Sequence, residues 1–248
     1  MARFNGITAN LPHQPLEDGV KSACGSCVVL KSALFHGVSI ERFERLSCIF
    51  RRGHYHRNQI LFFEGGEAHH LFALNSGLVK MVKSLENGKE RITRILFPGD
   101  LFGLEALSEL TYPLTAVVLR DSEICSVPRS QFLSYLRSNP DISLDMIRFL
   151  ISEISQVRTQ MTNMSFKDAR TRVATFLLSL VPPDEKTSAN SYSLTLPLTS
   201  QEIAEVLELS PETVSRTWQT LRKDGLIAKR GRSLLIQNLS ALEEAARH

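Results

Sequence analysis

The chain has 248 residues, 43% hydrophobic and 22% charged, which suits two domains and excludes collagen-like, mucin-like and largely disordered proteins. Basic residues exceed acidic ones by only +3, so no broad polyanion-binding surface is dictated and the placement of charge matters more than its sum. The longest nearly unbroken apolar run, 173–181, is less than half of the roughly twenty residues a membrane helix needs, and the N-terminus lacks the charged, apolar and cleavage regions of a secretory signal.

A cytoplasmic location without membrane contact is therefore expected, where four cysteines read as thiols or ligands rather than disulfides. Residues 1–38 form an N-terminal arm, polar and without a period over 1–22. A short amphipathic helix is predicted over 39–50. Ile40, Phe43, Leu46 and Phe50 recur at steps of three and four, behind Ser39 as N-cap with Glu41 and Glu44 in the first turns.

The texture then changes. Short apolar runs at 60–63, 71–74, 78–82, 92–97 and 116–119 are separated by Gly65-Gly66, Asn75-Ser76-Gly77, Glu86-Asn87-Gly88-Lys89 and Pro98-Gly99-Asp100. Many short strands between turn signals predict a small antiparallel sandwich or β-roll, cupin-like, over 39–140. Asn87-Gly88 predicts a type I′ hairpin, because both residues tolerate positive φ.

Helical periods return at 129–137, and a long helix is predicted over 141–165. Ile142, Met146, Phe149, Leu150, Ile154, Val157, Met161 and Met164 lie along one stripe, with no Gly or Pro to interrupt it. At 1.5 Å per residue it makes a rod of about 36 Å. Such a stripe suits a helix packed on its own domain. Ser152, Ser155, Gln156, Arg158 and Thr159 opposite leave only a narrow apolar strip, which favours a coiled-coil dimer seam. No acid interrupts Ile154, Val157 and Met161, so dimerisation is expected whatever the effector.

The last module spans 166–248. After a helix over 168–180 and a polar loop, Thr199 or Ser200 caps a short helix with Ile203, Ala204 and Leu207 inward. Pro211 breaks the chain after Leu209-Ser210 and opens a second helix, with Val214, Trp218 and Leu221 inward and Gly225 as its stop. Two short helices across a tight turn predict a helix-turn-helix, whose second helix enters the major groove of double-stranded DNA.

Glu212, Ser215 and Arg216 stand at i, i+3 and i+4 on its outer face, beside Thr213. Glu accepts from the cytosine amino group, Arg donates a bidentate pair to guanine, and Ser serves in either sense. Lys229, Arg230 and Arg232 lie between two apolar runs and predict a β-hairpin wing touching phosphate. From 213 to 232 the net charge is +5, with Asp224 the one acid, so the rest of the chain is near neutral.

The chain resembles the CRP/FNR superfamily of bacterial transcription regulators from about Cys24 onward. The resemblance rests on Phe63-Glu64-Gly65-Gly66-Glu67, Leu74-Asn75-Ser76-Gly77-Leu78-Val79-Lys80, Phe97-Pro98-Gly99-Asp100-Leu101-Phe102-Gly103, the long helix, and Glu212-Thr213-Val214-Ser215-Arg216. The last is similar to the FNR/FixK-like recognition helix. The resemblance implies an α+β chain with a sensing β-roll, a long dimerisation helix and a winged helix-turn-helix. It also implies a homodimer on a palindromic operator of TTGAT-like half-sites, with RNA polymerase as partner and activation as the expected sense.

The effector stays open. Family members that bind cyclic nucleotide use a Glu on the ribose and an Arg-Ser pair on the phosphate. Here Gly99-Asp100 and Pro113-Leu114-Thr115-Ala116 stand in those places, and Leu114 offers no phosphate donor, so cAMP is not expected. An iron–sulfur cluster, as in the oxygen-sensing branch, would draw on Cys24, Cys27 and Cys125. The third N-terminal cysteine is missing, and Cys48 or His36 would have to substitute.

A Cys24–Cys27 dithiol, zinc, haem near His54, His56, His69 and His70, a metabolite, or no effector are the alternatives. An enzyme would rest on the dithiol alone, since no phosphate loop, catalytic carboxylate pair or Gly-x-Ser-x-Gly occurs. Nonspecific DNA compaction would need more than +3.

Overall fold

The computed structural model describes residues 49–164, 168–181, 190–230 and 233–247. The predicted arm, Cys24, Cys27, His36, Cys48, Arg232 and all but the last two residues of the 39–50 helix lie outside them. Two compact units meet in the chain between Ile154 and Ser155.

The first unit is an antiparallel roll. Its strands are β1 (Arg51–Tyr55), β2 (Ile60–Phe62), β3 (His70–Ser84), β4 (Glu90–Leu96), β5 (Leu101–Phe102) and β6 (Thr115–Pro128). They pair in the order β1-β6-β3-β4, with β2 added on β6 and β5 on β3. β3 and β6 line the core, where Leu74, Val79, Ala116, Val118, Ile124 and Val127 are fully buried. An aromatic stack fills one end: Phe62 lies 3.8 Å from Tyr112 and 5.4 Å from Phe72, which stacks on Phe102 at 5.1 Å. Tyr112 Oη donates to the His70 carbonyl (2.7 Å) and accepts from the His70 N–H (3.0 Å), while burial pushes its pKa up to about 12.

Two local expectations change. Asn75-Ser76-Gly77 does not separate two strands; it is a bulge inside the single strand β3, where the register against β6 shifts three times between Leu74 and Val79. The bulge is held by side chains. Leu78 N–H donates to Ser122 Oγ (3.2 Å), Glu123 N–H to Ser76 Oγ (3.3 Å) and Asn75 Nδ2 to Glu123 Oε2 (2.8 Å). Gly77 has φ +95°, and a Cβ there would collide with Ser122 Oγ.

The β3–β4 hairpin forms, but not as type I′, because Gly88 (φ 76°) is in the left-handed region and Asn87 is not. Glu86, Asn87 and Gly88 make a three-residue connection, closed by Gly88 N–H to the Leu85 carbonyl (2.9 Å) and Leu85 N–H to the Lys89 carbonyl (2.8 Å). Asn87 contributes its side chain instead, accepting from Lys89 N–H at 3.0 Å.

Helix α1 (Arg129–Ser138) follows, burying Phe132, and α2 (Pro140–Met164) starts on a proline at its first turn. The predicted seam is corrected here. Met146 and Phe149, 4% and 6% exposed, belong to the core of the roll; Leu150 packs against it, and Ile142 is also buried. Met146, Phe149 and Leu150 hold α2 to its own domain, and none of the four is exposed to a partner. The exposed apolar row is Leu144, Ile147, Ile151 and Ile154, each 52–58% exposed and spaced three, four and three apart. Of the predicted seam, only Ile154 lies on this row among residues with described side chains. Val157, Met161 and Met164 lie farther along α2, beyond the described side chains. Two apolar faces about 135° apart merge into one broad stripe when read by spacing alone.

The second unit comprises α3 (Ala169–Ser179), β7 (Tyr192–Leu194), α4 (Ser200–Val206), α5 (Pro211–Lys223), β8 (Ile227–Arg230), β9 (Ser233–Ile236) and α6 (Leu239–Ala245). The sheet order is β7-β9-β8, so the predicted wing hairpin gains a third strand. Leu177, Ile203, Leu221, Ile227, Ile236 and Leu242 are its largest fully buried side chains. Among the described residues no helix is long and apolar enough to cross a membrane.

Candidate nucleic-acid interface

Helices α4 and α5 are set by their ends. Thr199 caps α4 through a reciprocal box, Glu202 N–H to Thr199 Oγ1 (3.2 Å) and Thr199 N–H to Glu202 Oε2 (2.9 Å). The helix ends at Glu208, the first residue past Leu207, in the left-handed conformation (φ 52°). Leu209 N–H reaches back to the Ala204 carbonyl (2.9 Å) and Glu208 N–H to that of Glu205 (3.1 Å). The stop thus falls two residues before Ser210, ahead of the Leu209-Ser210-Pro211 break that sequence suggests.

Ser210 then caps α5, accepting from Thr213 N–H at 3.0 Å, with Pro211 in the first turn. Gly225 (φ 70°) ends α5, as predicted, with Leu226 N–H bonded to the Leu221 carbonyl (2.9 Å).

Val214, Thr217 and Leu221 face inward from α5, Trp218 and Leu207 are half-buried, and Ile203 and Ala204 are buried on α4. That leaves Glu212, Ser215 and Arg216 exposed together on the first two turns. Arg216 Nη2 donates to Glu212 Oε1 at 2.7 Å, both side chains about three-quarters exposed (77% and 74%). The carboxylate thus orders the guanidinium along the helix face. Its energetic worth in water is small. Its geometric worth is that the fork already extends where a base edge would be met.

Thr213 is half-buried and its hydroxyl lies 2.8 Å from Ser210 Oγ, so the cap already engages it. Lys229 and Arg230 lie on β8, opposite Leu234 and Ser233.

Three residues that sequence reasoning did not single out support this frame from α3. Asp168 caps α3, accepting from Thr171 N–H at 2.8 Å, and that backbone bond with its side-chain companion holds its carboxyl below the usual range. Arg172 Nη1 donates to the Leu207 carbonyl at the end of α4 (3.1 Å), and Arg170 Nη1 meets Asp224 Oδ2 at the end of α5 (2.5 Å). Asp168 is legible as an N-cap; the reach of the two arginines is a tertiary matter.

Asp168→Ala is expected to cost about 1 kcal/mol of stability. Because the folded-state pKa is lowered, this contribution is complete above the unfolded carboxylate pKa and disappears as pH falls through the folded one. Urea melts of both proteins at neutral and acid pH check this: the gap should close in acid.

On the roll, Cys125 is half-buried on β6, opposite Arg52 on β1 and Ala73 on β3, and packs against the apolar core. Among the described residues no group of three or more His, Cys, Asp or Glu could hold a metal. In the stretch 113–116, Leu114 packs on the core and Thr115 Oγ1 accepts from Glu64 N–H at 3.0 Å. Asp100 accepts from Phe97 N–H (2.8 Å) and lies 3.6 Å from Arg94. His54 and His69 stand beside Glu123 and Glu67, both on the surface.

Comparison with known proteins agrees with this division. Residues 52–139 match the model of the cyclic nucleotide-binding domain, and 171–245 that of the Crp-like helix-turn-helix domain. The chain is 28% identical to the transcriptional activator protein anr of Pseudomonas aeruginosa over 86% of its own length and 88% of the relative's. It is 27% identical to the fumarate and nitrate reduction regulatory protein of Escherichia coli, over 91% and 90%. Among solved structures, FixK2 of Bradyrhizobium japonicum superposes with a TM-score of 0.64 at 26% identity, covering 79% of this chain and 97% of that one. A putative cyclic nucleotide binding protein of Ruegeria pomeroyi reaches 0.73 over 89% and 96%, at 23% identity, a likeness of fold.

Proposed function

Since the chain belongs to the CRP/FNR superfamily of DNA-binding transcription regulators, we propose that it acts as a homodimeric activator. It reads an FNR-like palindrome through Glu212, Ser215 and Arg216, with Lys229, Arg230 and Arg232 on phosphate. One observation carries this reading: the three recognition side chains stand exposed together on the first turns of α5, with Arg216 aligned by Glu212 at 2.7 Å. The N-terminal turns of a recognition helix are where base edges are met. Thr213 contributes through its place in the cap rather than through a free hydroxyl.

The two protomers meet along Leu144, Ile147, Ile151 and Ile154, continuing into the C-terminal half of α2, where Val157, Met161 and Met164 lie. A two-fold dimer places its recognition helices one turn of DNA apart and matches a palindrome. RNA polymerase is the onward partner. The test is a gel shift at matched salt on a palindromic TTGAT duplex against a scrambled duplex of the same composition. Preference for the palindrome supports the reading; equal affinity overturns it.

The roll serves as the sensor. Its match to a cyclic nucleotide-binding model is read as likeness of fold, because Leu114 offers no donor to a phosphate and Asp100 is already engaged at its turn. A redox or oxygen signal fits the thiols better. Cys125 by itself is one half-buried thiol, and the described residues alone do not build a cluster site. A cluster would need Cys24 and Cys27 beside Cys125, with a fourth group such as Cys48. The absorption spectrum with iron and sulfide content of anaerobically purified protein narrows the choice: a colourless, iron-free preparation removes both cluster and haem and leaves the dithiol, zinc, a metabolite or no effector.

A further inference from the structure

Arg170 and Asp224 each sit at the wrong end of a helix. Arg170 lies in the first turn of α3, where the helix dipole is positive, and Asp224 is the C-cap of α5, where it is negative. Each charge therefore disfavours its own helix, yet the two meet at 2.5 Å, bridging 54 positions of sequence. Asp224 is also the one acid in the basic stretch 213–232, where it subtracts from the attraction to phosphate. The neighbouring Asp168 carboxylate offsets part of the cost of Arg170, but neither local helix energetics nor bulk attraction to DNA accounts for Asp224; its pairing with Arg170 does. Two positions along the same first turn, Arg172 holds the Leu207 carbonyl that ends α4. One turn of α3 thus grips the C-terminal ends of both helices of the motif.

We propose that the Arg170–Asp224 pair is a positioning clamp that fixes the angle at which α5 presents Glu212, Ser215 and Arg216 to base edges. The proposal rests on reading α5 as the base-reading helix. The clamp acts at the rear end of α5, about 12 residues or 18 Å from its N-terminus at 1.5 Å per residue, so a small tilt there displaces the front turn. Neither residue touches a base. Both act through Arg216 and its neighbours.

The sign of one substitution separates this role from plain electrostatics. Asp224→Asn removes a negative charge near DNA, so electrostatics alone predicts tighter binding to every duplex. A clamp predicts weaker binding to the palindromic TTGAT duplex, by about three- to tenfold, with the scrambled duplex unchanged or slightly tighter. Arg170→Asp should lose affinity for the palindrome in the same way, and the exchange Arg170→Asp with Asp224→Arg should recover it.

A second readout needs no DNA. Trp218, the single tryptophan of the chain, is half-buried on α5. Its emission should shift in each single variant and return in the exchange. Tighter binding of Asp224→Asn to both duplexes, failure of the exchange to restore affinity, or an emission unmoved in the single variants would each overturn the clamp. A wild-type protein with no preference for the palindrome would overturn the base-reading assignment instead, and the Trp218 signal would still decide whether the pair sets α5.

Discussion

Ile151→Glu is expected to leave the roll folded and to abolish the dimer. Ile151 is 58% exposed at the middle of the Leu144, Ile147, Ile151 and Ile154 row, so a carboxylate there costs the single chain little. In a two-fold dimer the substitution places two like charges face to face in an apolar seam, costing several kcal/mol. At 1.4 kcal/mol per decade, about 3 kcal/mol weakens association more than a hundredfold. Sedimentation at micromolar concentration should show a folded monomer, its thermal midpoint lowered only by the lost association, and affinity for a palindrome should fall with the lost second reader.

Met146→Ala is the contrasting case. Met146 is 4% exposed within the roll's core, so truncation should cost about 2–5 kcal/mol of folding stability while the surviving folded protein still dimerises. A stable monomer from Met146→Ala, or a normal dimer from Ile151→Glu, would show that the partner meets the other face of α2.

Arg216→Ala should cost about 1–3 kcal/mol on the palindrome and almost nothing on random DNA, because it removes a bidentate contact to guanine rather than a general attraction. The structure sharpens the expectation through Glu212. With its partner gone, Glu212 keeps a carboxylate at the groove without the 2.7 Å pair that neutralises and directs it. Discrimination at the guanine position should therefore relax. Lys229→Ala on β8 should weaken both duplexes alike and reduce the salt slope by about one contact. Titrations on the two duplexes at several salt concentrations distinguish these patterns; a uniform loss for Arg216→Ala would make it a phosphate contact.

The outcomes along the chain divide by the range of the forces involved. The caps and stops of α5 are written in neighbouring residues. Ser210-Pro211 opens the helix, Gly225 closes it, and the inward positions follow the helical period, so the placement of Glu212, Ser215 and Arg216 could be read directly. Other features failed for lack of neighbours. Asn75-Ser76-Gly77 has the composition of a turn, and only Ser122 and Glu123 on β6, supplying hydrogen bonds from across the sheet, make it a bulge in an unbroken strand. Asn87-Gly88 has the composition of a type I′ turn, yet the β3–β4 register is met by a three-residue connection with Gly88 alone left-handed.

By itself, then, the sequence determined the order of modules, the helix-turn-helix and its outward chemistry, and the concentration of positive charge after Thr213. These depend on hydrogen bonds within a turn or two and on the period of apolar residues. Only the tertiary structure decided which apolar face of α2 belongs to the roll and which is left exposed, since spacing along the helix does not separate two faces that differ in what lies against them. It alone joined Arg170 to Asp224, because an ion pair spanning 54 positions leaves no local pattern. In each chain segment those two charges look misplaced, and across the packed helices they answer each other.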